Sequence, residues 1–462
     1  MAATSDPAIA SQTSLPLERE KQDLAPKSYA EAAKENKTGA GDHEKYDGDA
    51  VNGKPNQRDP KGVKVGKSET RVIYEEVDGL DGGRLVSVRL NNTGNDSSSL
   101  QEGRSSEDGR LVSGRNAEAG WEGAGIHWAP LHVPLRRRLQ TLVVLCHTLC
   151  VPLTLTIFFL LCAIPLFWPL LIPYLLYVLF SRASTSGELS HRSDRFRSSR
   201  IWSLYASYFP ARLHRSEELP PTRKYIFGFH PHGILSHGAF AAFGTEALGF
   251  SQLFPGITNS LLTLDSNFRL PVYRNYLLAM GLASVSRESC QNILSKGGPN
   301  GEGMGRAITI VVGGARESLD AQPHSLRLVL KRRKGFVKLA IRQGADLVPV
   351  LSFGENDIYN QLQPNEHPSV FKVQLLIKKL LGFTIPLFHA RGVFNYDFGM
   401  MPYRRPLNIV VGRAIKVTQQ SKPEDAYVDQ IHEMYVMELE RLWEDWKDVF
   451  AKNRTAELEI VE

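Results

Sequence analysis

One long apolar run dominates the hydrophobic pattern of this chain: no Asp, Glu, Lys or Arg occurs between Leu139 and Phe180. A transmembrane helix needs about 20 apolar residues, so this run is long enough for two closely spaced spans. Pro165 and Pro169 interrupt it, and we predict spans near 139–163 and 166–180. Because the second span is short, the pattern favours a hairpin that dips into the bilayer. A pair of buried core helices is the alternative.

Basic residues flank this apolar run on both sides. Three arginines, 136–138, precede it, and five more follow it: Arg182, Arg192, Arg195, Arg197 and Arg200. Cytoplasmic flanks of membrane segments are enriched in Lys and Arg. The flanks therefore predict a membrane hairpin over residues 131–182 with both chain termini in the cytosol.

The remainder of the chain changes pattern at the two ends of the hairpin. Residues 1–130 are rich in Ser, Gly, Asp, Glu, Lys and Asn and poor in aromatics, which predicts a disordered polar tail. After Arg200, short β-rich runs alternate with helical patterns. The predicted strands are Tyr225–Phe229, Ala307–Val312, Leu347–Phe353 and Leu407–Val411, and the predicted helices are Phe336–Gln343 and Asp429–Lys452. This alternation predicts an α/β domain over 201–450, a mostly parallel sheet covered by helices, before a polar tail over 451–462.

Charge and cysteine content narrow the class of partner. The net charge of +6 suits either nucleic acid or an anionic membrane surface. No zinc-finger or RNA-binding signature occurs, so the apolar run decides for membrane lipid and against nucleic acid. Three of the four cysteines lie inside the apolar run, so we expect no disulfides and a reducing compartment. The N-terminus has no apolar core, so we expect no cleaved signal peptide.

The strand predicted at Tyr225–Phe229 ends in a histidine motif, His230-Pro231-His232-Gly233. In an extended backbone the two histidines point to the same face. Histidine is well suited to moving protons near neutral pH. Gly233 permits a sharp turn, and its N–H could donate to an oxyanion.

Three interpretations of the motif remain open from these residues alone. One histidine could be a general base that deprotonates a hydroxyl. His230, His232 and His237 could instead bind a metal ion. The histidines could also be structural and satisfied by backbone hydrogen bonds. Metallo-hydrolases with His-x-His commonly place Asp and another His directly after it, whereas Ile234 and Leu235 stand here, which weighs against a metal.

The His230-Pro-His-Gly233 motif resembles the signature of the type-2 diacylglycerol acyltransferases, relatives of the monoacylglycerol acyltransferases and wax synthases. The resemblance covers roughly Leu139 to Phe450. Further similar segments are Phe254–Ile257, Asn267–Pro271, Val285–Arg287, Val312–Leu319, Arg333–Ala340, Gly344–Pro349, Phe353–Asn356, Arg391–Gly392, Pro402–Tyr403 and Val410–Gly412. The likeness implies transfer of an acyl group from acyl-CoA to diacylglycerol, which gives triacylglycerol and CoA.

A thioester is already an activated donor, so such a reaction needs a base, an oxyanion site and aligned substrates, and no covalent nucleophile. The chain has no Gly-x-Ser-x-Gly elbow, in agreement with direct transfer. We expect no cofactor beyond acyl-CoA as co-substrate, no metal, and residence in the endoplasmic reticulum membrane and on lipid droplets. A homo-oligomer is compatible with the sequence. Monoacylglycerol or a fatty alcohol is the alternative acceptor, and a catalytically inactive lipid-binding membrane protein is the alternative from another class.

Broader glycerolipid acyltransferases carry His-x-x-x-x-Asp, in which Asp orients the catalytic histidine. Counted from His232, that position holds His237 here, so the orienting role is vacant. We assign His232 as the base with His230 in support, and Gly233 to the oxyanion. Glu317 is the candidate to orient His232 or to position the glycerol.

Other polar residues are candidates for substrate binding. A basic cluster at Lys331–Lys334, with Lys338 and Arg342 beyond it, could attract CoA phosphates or anionic head groups, and a solvated helix start is the alternative. Within it, Arg333, Lys334 and Lys338 are the predicted substrate ligands. Glu355 and Asn356 follow a predicted strand and are expected to line the site.

Overall fold

The computed structural model describes residues 71–79, 82–91, 121–123, 126–130, 133–361, 374, 376 and 387–461. Its strands are β1 Arg71–Asp78, β2 Arg84–Asn91, β3 Trp121–Gly123, β4 Ile126–Trp128, β5 Arg212–Arg215, β6 Lys224–His230, β7 Thr258–Thr263, β8 Ala283–Ser284, β9 Arg306–Val311, β10 Arg327–Val329, β11 Ala345–Phe353, β12 Asn360–Gln361, β13 Phe388–His389, β14 Asn408–Val411 and β15 Glu459–Val461.

The α-helices are α1 Leu135–Thr148, α2 Cys150–Cys162, α3 Trp168–Phe180, α4 Asp194–Arg197, α5 Arg200–Tyr208, α6 His237–Ala239, α7 Phe250–Leu253, α8 Tyr273–Ala279, α9 Arg287–Ser295, α10 Gly314–Glu317, α11 Gly335–Gln343 and α12 Asp425–Phe450. Single 3-10 turns occupy Pro165–Phe167, Asp265–Arg269 and Glu355–Ile358, and a π-helical turn spans Phe240–Gly244.

Nine strands form one mixed sheet in the order β1-β2-β5-β14-β11-β6-β9-β7-β8. The run from β11 to β8 is parallel throughout, whereas β14 is antiparallel to β11, and the β1–β2 hairpin is antiparallel to β5. All four predicted strands and both predicted helices are present, within a few residues of the predicted bounds. The α/β class is therefore confirmed.

Hydrophobic side chains alternate along the central strands and supply a core on each face of the sheet. In β6, Tyr225, Phe227 and Phe229 belong to one core, whereas Ile226 belongs to the other. The first core includes helix α5, and the second includes the buried faces of α11 and α12. Burial on both faces explains why the parallel strands are nearly continuous apolar runs.

Two short segments depart from the predicted polar tails. Strands β1 and β2 lie within 1–130, and Leu85 in β2 is fully buried. In the second tail, β15 pairs in parallel with β10. Composition averaged over a long segment conceals a short alternating run that can join a sheet edge, so these parts of the two tail predictions are wrong. The remaining residues of 1–130 lie outside the described residues.

The apolar run folds as three helices rather than two spans. The first predicted span, 139–163, is broken at Leu149, between α1 and α2. Pro152 explains the break, because its ring clashes with the carbonyl four residues earlier, at Thr148. No single helix in the described part of the chain is long and apolar enough to cross a membrane. The pair α1 and α2, bent by 69°, meets the length and composition requirements together.

Candidate active site

The histidine motif and two buried carboxyl groups converge at one edge of the sheet. Strands β11, β6 and β9 are adjacent and parallel, so their carboxyl ends share that edge. His230 is the last residue of β6, Glu317 ends helix α10 after β9, and Glu355 follows β11. Ligands of open α/β sheets bind at the carboxyl ends of strands, so this edge is the candidate site.

His230 is fully buried and engaged with helix α12. Its Nε2 lies 3.0 Å from the hydroxyl of Tyr435, which in turn donates to the carbonyl of Gly228 at 3.1 Å. Because a carbonyl only accepts, the tyrosine oxygen accepts the proton of His230 Nε2–H. Burial lowers the pKa of His230 to about 3, so the ring is neutral. This arrangement suits a supporting residue.

His232 is only half-buried, and its imidazole has a defined tautomer. Its Nδ1 lies 3.0 Å from the carbonyl oxygen of Gly233, so Nδ1 carries the proton and Nε2 keeps a lone pair. Nε2 makes no hydrogen bond among the described residues. Burial also lowers the pKa of His232, which keeps the ring neutral. A neutral, oriented, accessible Nε2 can act as a general base.

Glu317 holds the turn after β6 by accepting hydrogen bonds from backbone N–H groups, and it does not contact the imidazole ring of His232. One carboxyl oxygen accepts the N–H of His232 at 2.5 Å, and the other accepts the N–H of Val329 in β10 at 2.8 Å. Its pKa is raised to about 7 by burial. The imidazole of His232 is therefore oriented by the Gly233 carbonyl and not by Glu317, so the first of the two predicted roles of Glu317 is not seen, while its role in positioning the glycerol stays a prediction.

Glu355 lies directly against the histidine motif. It is 1% exposed, and its Oε2 accepts the N–H of Gly238 at 2.9 Å and the hydroxyl of Ser352 at 3.3 Å. Its Oε1 is buried without a hydrogen-bond partner among the described residues. A Cβ at Gly233, where φ is +60°, would lie 2.8 Å from Glu355 Cγ, so this position requires glycine.

His237 occupies the position of the vacant orienting Asp, but it serves a different set of contacts. Its Nδ1 lies 2.6 Å from the hydroxyl of Tyr205, and its Nε2 lies 2.9 Å from that of Tyr359. Both ring nitrogens are thus occupied by tyrosines. In the described ranges, no three His, Cys, Asp or Glu side chains are placed to hold a metal ion.

Asn356 is buried beside this edge, as expected of a residue that follows β11. Its amide nitrogen donates to the carbonyl of Ser325 at 3.0 Å, and its Oδ1 is buried without a partner among the described residues.

The tyrosines that hold the two buried histidines were missed by sequence reasoning. Tyr435 has the helical spacing of an ordinary core residue, and no pattern marks its hydroxyl as a ligand of His230.

A basic cavity of about 550 Å³ adjoins the site. Its cationic walls are Arg287, Arg332, Arg333, Lys338 and Arg342, and its apolar walls are Val285, Ile310, Val312, Phe336 and Leu339, with Cys290 and Gly335 completing the lining. Val312 follows β9 and borders Gly228, next to the Tyr435 hydroxyl. Arg333 and Lys338 were predicted as ligands. Lys334 does not line the cavity and instead pairs with Asp429 at 2.7 Å.

The buried carboxyl of Glu355 predicts a pH-dependent stability. Burial raises its pKa from 4.5 to about 8, so the folded protein keeps a proton that the unfolded chain releases. The resulting stabilisation is complete below pH 4.5, the pKa of this carboxyl in the unfolded chain, and it is lost as pH rises through about 8. We expect Glu355→Gln, which is permanently neutral, to flatten the fall of the unfolding temperature between about pH 6.5 and 8.5.

The buried histidines do not interfere in that pH range. Their pKa values are lowered, so their effect on stability is lost as pH falls, whereas that of Glu355 is lost as pH rises. The pKa of His230 falls from 6.5 to about 3, so its effect is complete above 6.5 and is lost only in acid. Thermal unfolding of the detergent-solubilised protein is the measurement. Equal slopes for the wild type and Glu355→Gln would contradict a protonated Glu355.

Comparison with known proteins identifies the relatives of this chain. The sequence model of the family described as "Diacylglycerol acyltransferase" matches residues 158–461. The chain is 50% identical over 339 residues to diacylglycerol O-acyltransferase 2A of Umbelopsis ramanniana, which covers 72% of this chain and 94% of the relative. It is 44% identical to diacylglycerol O-acyltransferase 2 of Dictyostelium discoideum, over 72% and 99% of the two chains. It is also 44% identical to 2-acylglycerol O-acyltransferase 1 of Bos taurus, over 71% and 96%.

Proposed function

Because this chain belongs to the diacylglycerol acyltransferase family and is an acyltransferase, we propose that His232 activates the hydroxyl of diacylglycerol for attack on acyl-CoA. The comparisons confirm the predicted family and class of enzyme. One observation carries the assignment of the base: the Gly233 carbonyl holds the proton of His232 on Nδ1 and leaves Nε2 free. A free Nε2 would also suit a metal ligand, but no three His, Cys, Asp or Glu side chains in the described part of the chain are placed to hold a metal ion.

The proposed reaction proceeds by direct transfer. His232 Nε2 takes the proton of the acceptor hydroxyl while the oxygen attacks the thioester carbonyl. The N–H of Gly233 has no hydrogen-bond partner among the described residues and can stabilise the tetrahedral oxyanion. When the oxyanion collapses, the C–S bond breaks, and the leaving thiolate takes the proton from His232. The products are triacylglycerol and CoA, and the base is regenerated.

Glu355 and Asn356 are proposed to position the substrates at this edge. With a pKa of about 8, Glu355 holds a proton at neutral pH, and its unpaired Oε1 can donate to an ester or hydroxyl oxygen. Asn356 Oδ1 is a buried acceptor without a partner in the described ranges, and it can accept a hydrogen bond from a substrate hydroxyl. Glu317 is fully engaged by two backbone N–H groups, so its proposed role is to hold the turn.

The basic cavity is the proposed site for the CoA part of the donor. Arginines suit bidentate contacts with phosphate, and Val312 and Phe336 supply an apolar wall for the pantetheine arm.

We expect Arg287→Gln with Arg333→Gln to raise KM for acyl-CoA about tenfold or more, with a smaller change in kcat, since a charged hydrogen bond contributes about 1.5–3 kcal/mol.

The matched control for that double variant removes the same charge at the surface. Arg413→Gln with Lys416→Gln, both exposed, should leave KM unchanged. Acyl-pantetheine lacks the nucleotide phosphates, so its KM should not distinguish the double variant from the wild type. An unchanged KM for acyl-CoA in the Arg287 and Arg333 double variant would remove this cavity from the donor site.

A comparison of acceptors tests the function itself. Purified protein receives labelled acyl-CoA with diacylglycerol, monoacylglycerol or a fatty alcohol under identical conditions. We expect the highest kcat/KM with diacylglycerol. A higher kcat/KM with monoacylglycerol would make monoacylglycerol the preferred acceptor. This outcome is tested because one of the relatives is a 2-acylglycerol O-acyltransferase. No incorporation with any acceptor would favour the inactive lipid-binding alternative.

The three apolar helices are proposed to embed in the membrane as a hairpin with both termini cytosolic. More than half of the exposed large apolar side chains in the described part of the chain lie between Leu135 and Phe180. An exposed apolar surface of this extent marks a lipid or protein contact. A hairpin without a lumenal domain can also enter the phospholipid monolayer of a lipid droplet, in addition to the endoplasmic reticulum membrane.

A further inference from the structure

A second cavity, of about 300 Å³, lies between the start of helix α1 and the segment 391–404. Among the residues that the structure describes, four arginines and no acidic residue line it. The lining residues are Ala129, Pro130, Val133, Arg137, Arg138, Thr141, Leu142, Leu145, Arg391, Val393, Phe394, Tyr396 and Arg404. None of them was assigned a role in acyl transfer above.

Arg404 is largely buried in this cavity, and its side-chain contacts are with neutral groups. Its guanidinium donates to the amide oxygen of Gln140 at 2.7 Å, the hydroxyl of Thr141 at 2.9 Å and the carbonyl of Arg137 at 3.0 Å. It also lies 4.0 Å from the ring centre of Tyr208. Its Nε is buried without a partner among the described residues. Burial lowers the pKa of Arg404 to about 9, and the nearby charges of Arg137 and Arg391 act in the same direction.

Arg391 is the second buried cation of the cavity, with 7% of its surface exposed. Its Nε donates to the carbonyl of Gly392 at 3.2 Å, and its guanidinium lies 4.8 Å from the ring centre of Tyr396. Buried charges in proteins are normally paired with an opposite charge. Arg391 and the partly buried Arg404 share a cavity whose described lining contains no carboxylate, and this arrangement suits an anion.

The rim of the cavity indicates where that anion comes from. Leu142 and Phe394 line the cavity, yet 52% and 67% of their surfaces are exposed. Phe398 and Met400, on the same segment as Phe394, are also exposed. Cations inside and exposed apolar side chains at the rim match an amphiphile with an anionic head and apolar tails. Helix α1 lines the cavity and belongs to the apolar helices that are proposed above to contact lipid.

We propose that this cavity binds the anionic head group of a membrane phospholipid. It is distinct from the proposed CoA cavity. Leu145 and Val393 pack on the core that contains Tyr205, whereas Val312 and Phe336 belong to the core on the opposite face of the sheet. The bound lipid joins helix α1 to the segment 391–404 and so ties the catalytic domain to the membrane surface. This inference rests on the proposed membrane contact of helices α1 to α3 and is independent of the proposed acyl transfer.

Thermal unfolding in neutral detergent micelles tests the proposal with three probes: dioctanoyl phosphatidate, dioctanoyl phosphatidylcholine and inorganic phosphate. We expect phosphatidate to raise the unfolding temperature of the wild type saturably, phosphatidylcholine to have little effect, and inorganic phosphate to act only at far higher concentration. In the Arg391→Gln, Arg404→Gln double variant, the apparent affinity for phosphatidate should fall at least tenfold. The matched control, Arg195→Gln with Arg200→Gln, removes two exposed charges and should retain the wild-type affinity.

A second variant keeps the test decisive if the double variant does not fold. Leu142→Glu places a carboxylate at the half-open rim without removing an interior contact, and it should weaken phosphatidate binding to a similar degree.

Wild-type affinity in either folded variant would overturn the proposal, and so would an equal response to phosphatidylcholine. An equal response to inorganic phosphate would assign a free-anion site instead of a lipid site. Displacement of phosphatidate by CoA would assign the cavity to the donor. Acyl transfer assayed separately on the same preparations keeps this outcome apart from that of the proposed function.

Discussion

Replacement of His232 by alanine should lower turnover about a hundredfold or more, the scale expected for the loss of a positioned general base. The side chain is half-buried directly before the turn at 233–235, and its ring makes one hydrogen bond, to the Gly233 carbonyl. The folded state therefore loses little packing with it. Steady-state kinetics with acyl-CoA and diacylglycerol measure the effect, while the unfolding temperature should change only slightly.

His230→Ala is the matched comparison, and it should show the reverse balance. His230 is fully buried and bonded to Tyr435, so its removal should lower the unfolding temperature more and turnover less. A greater loss of turnover in His230→Ala than in His232→Ala would exchange the two roles. Stoichiometric zinc in active protein, lost with activity in His232→Ala, would replace the general base by a metal site.

Replacement of Glu317 by alanine should reduce both activity and stability strongly. The N–H groups of His232 and Val329 would lose their shared acceptor inside the protein. An unsatisfied buried donor costs about 1–3 kcal/mol, so two of them lower the free energy of unfolding by about 2–6 kcal/mol. Because one of these donors is the backbone N–H of His232, the proposed base, we expect kcat to fall about tenfold or more in the protein that remains folded.

Glu317→Gln separates the effect on the turn from simple unfolding. The amide keeps one acceptor oxygen and the same volume, but its NH2 group faces one of the two donors. Its stability should therefore lie between those of the wild type and Glu317→Ala, with kcat in the same order. Wild-type kcat in a folded Glu317→Ala protein would show that the turn keeps its geometry without the carboxyl group.

The sequence was sufficient to predict the central strands, because a strand that is buried on both faces of the sheet is a continuous apolar run that ends in polar residues. Glu317 and Glu355 are predicted as site residues for the same reason, since each follows such a run. The exact partners were not predictable. That Glu317 reaches a backbone N–H and that Tyr435 holds His230 depend on contacts between residues far apart in the chain.

The errors have equally local causes. The predicted break at Pro165 is present as a 3-10 turn between α2 and α3, but the first predicted span has a second break at Leu149, because Pro152 ends helix α1 one turn before itself. Strand β2 was hidden in a polar segment, because one buried leucine and a few valines scarcely change the average composition. The cationic cavity was also beyond the sequence, since Arg137, Arg391 and Arg404 are brought together only by the fold.

The pairing of β15 with β10 has a consequence for when the enzyme becomes active during its synthesis. Val329 in β10 donates to Glu317, and β10 is held in turn by Glu459–Val461. The ribosome makes the apolar helices early and these three residues after every other element of the described site. A nascent chain can thus expose the apolar helices, for which membrane contact is proposed above, while the turn around His232 still lacks its full support. Catalytic competence should follow the emergence of this last strand, which delays acyl transfer until the rest of the domain has left the ribosome.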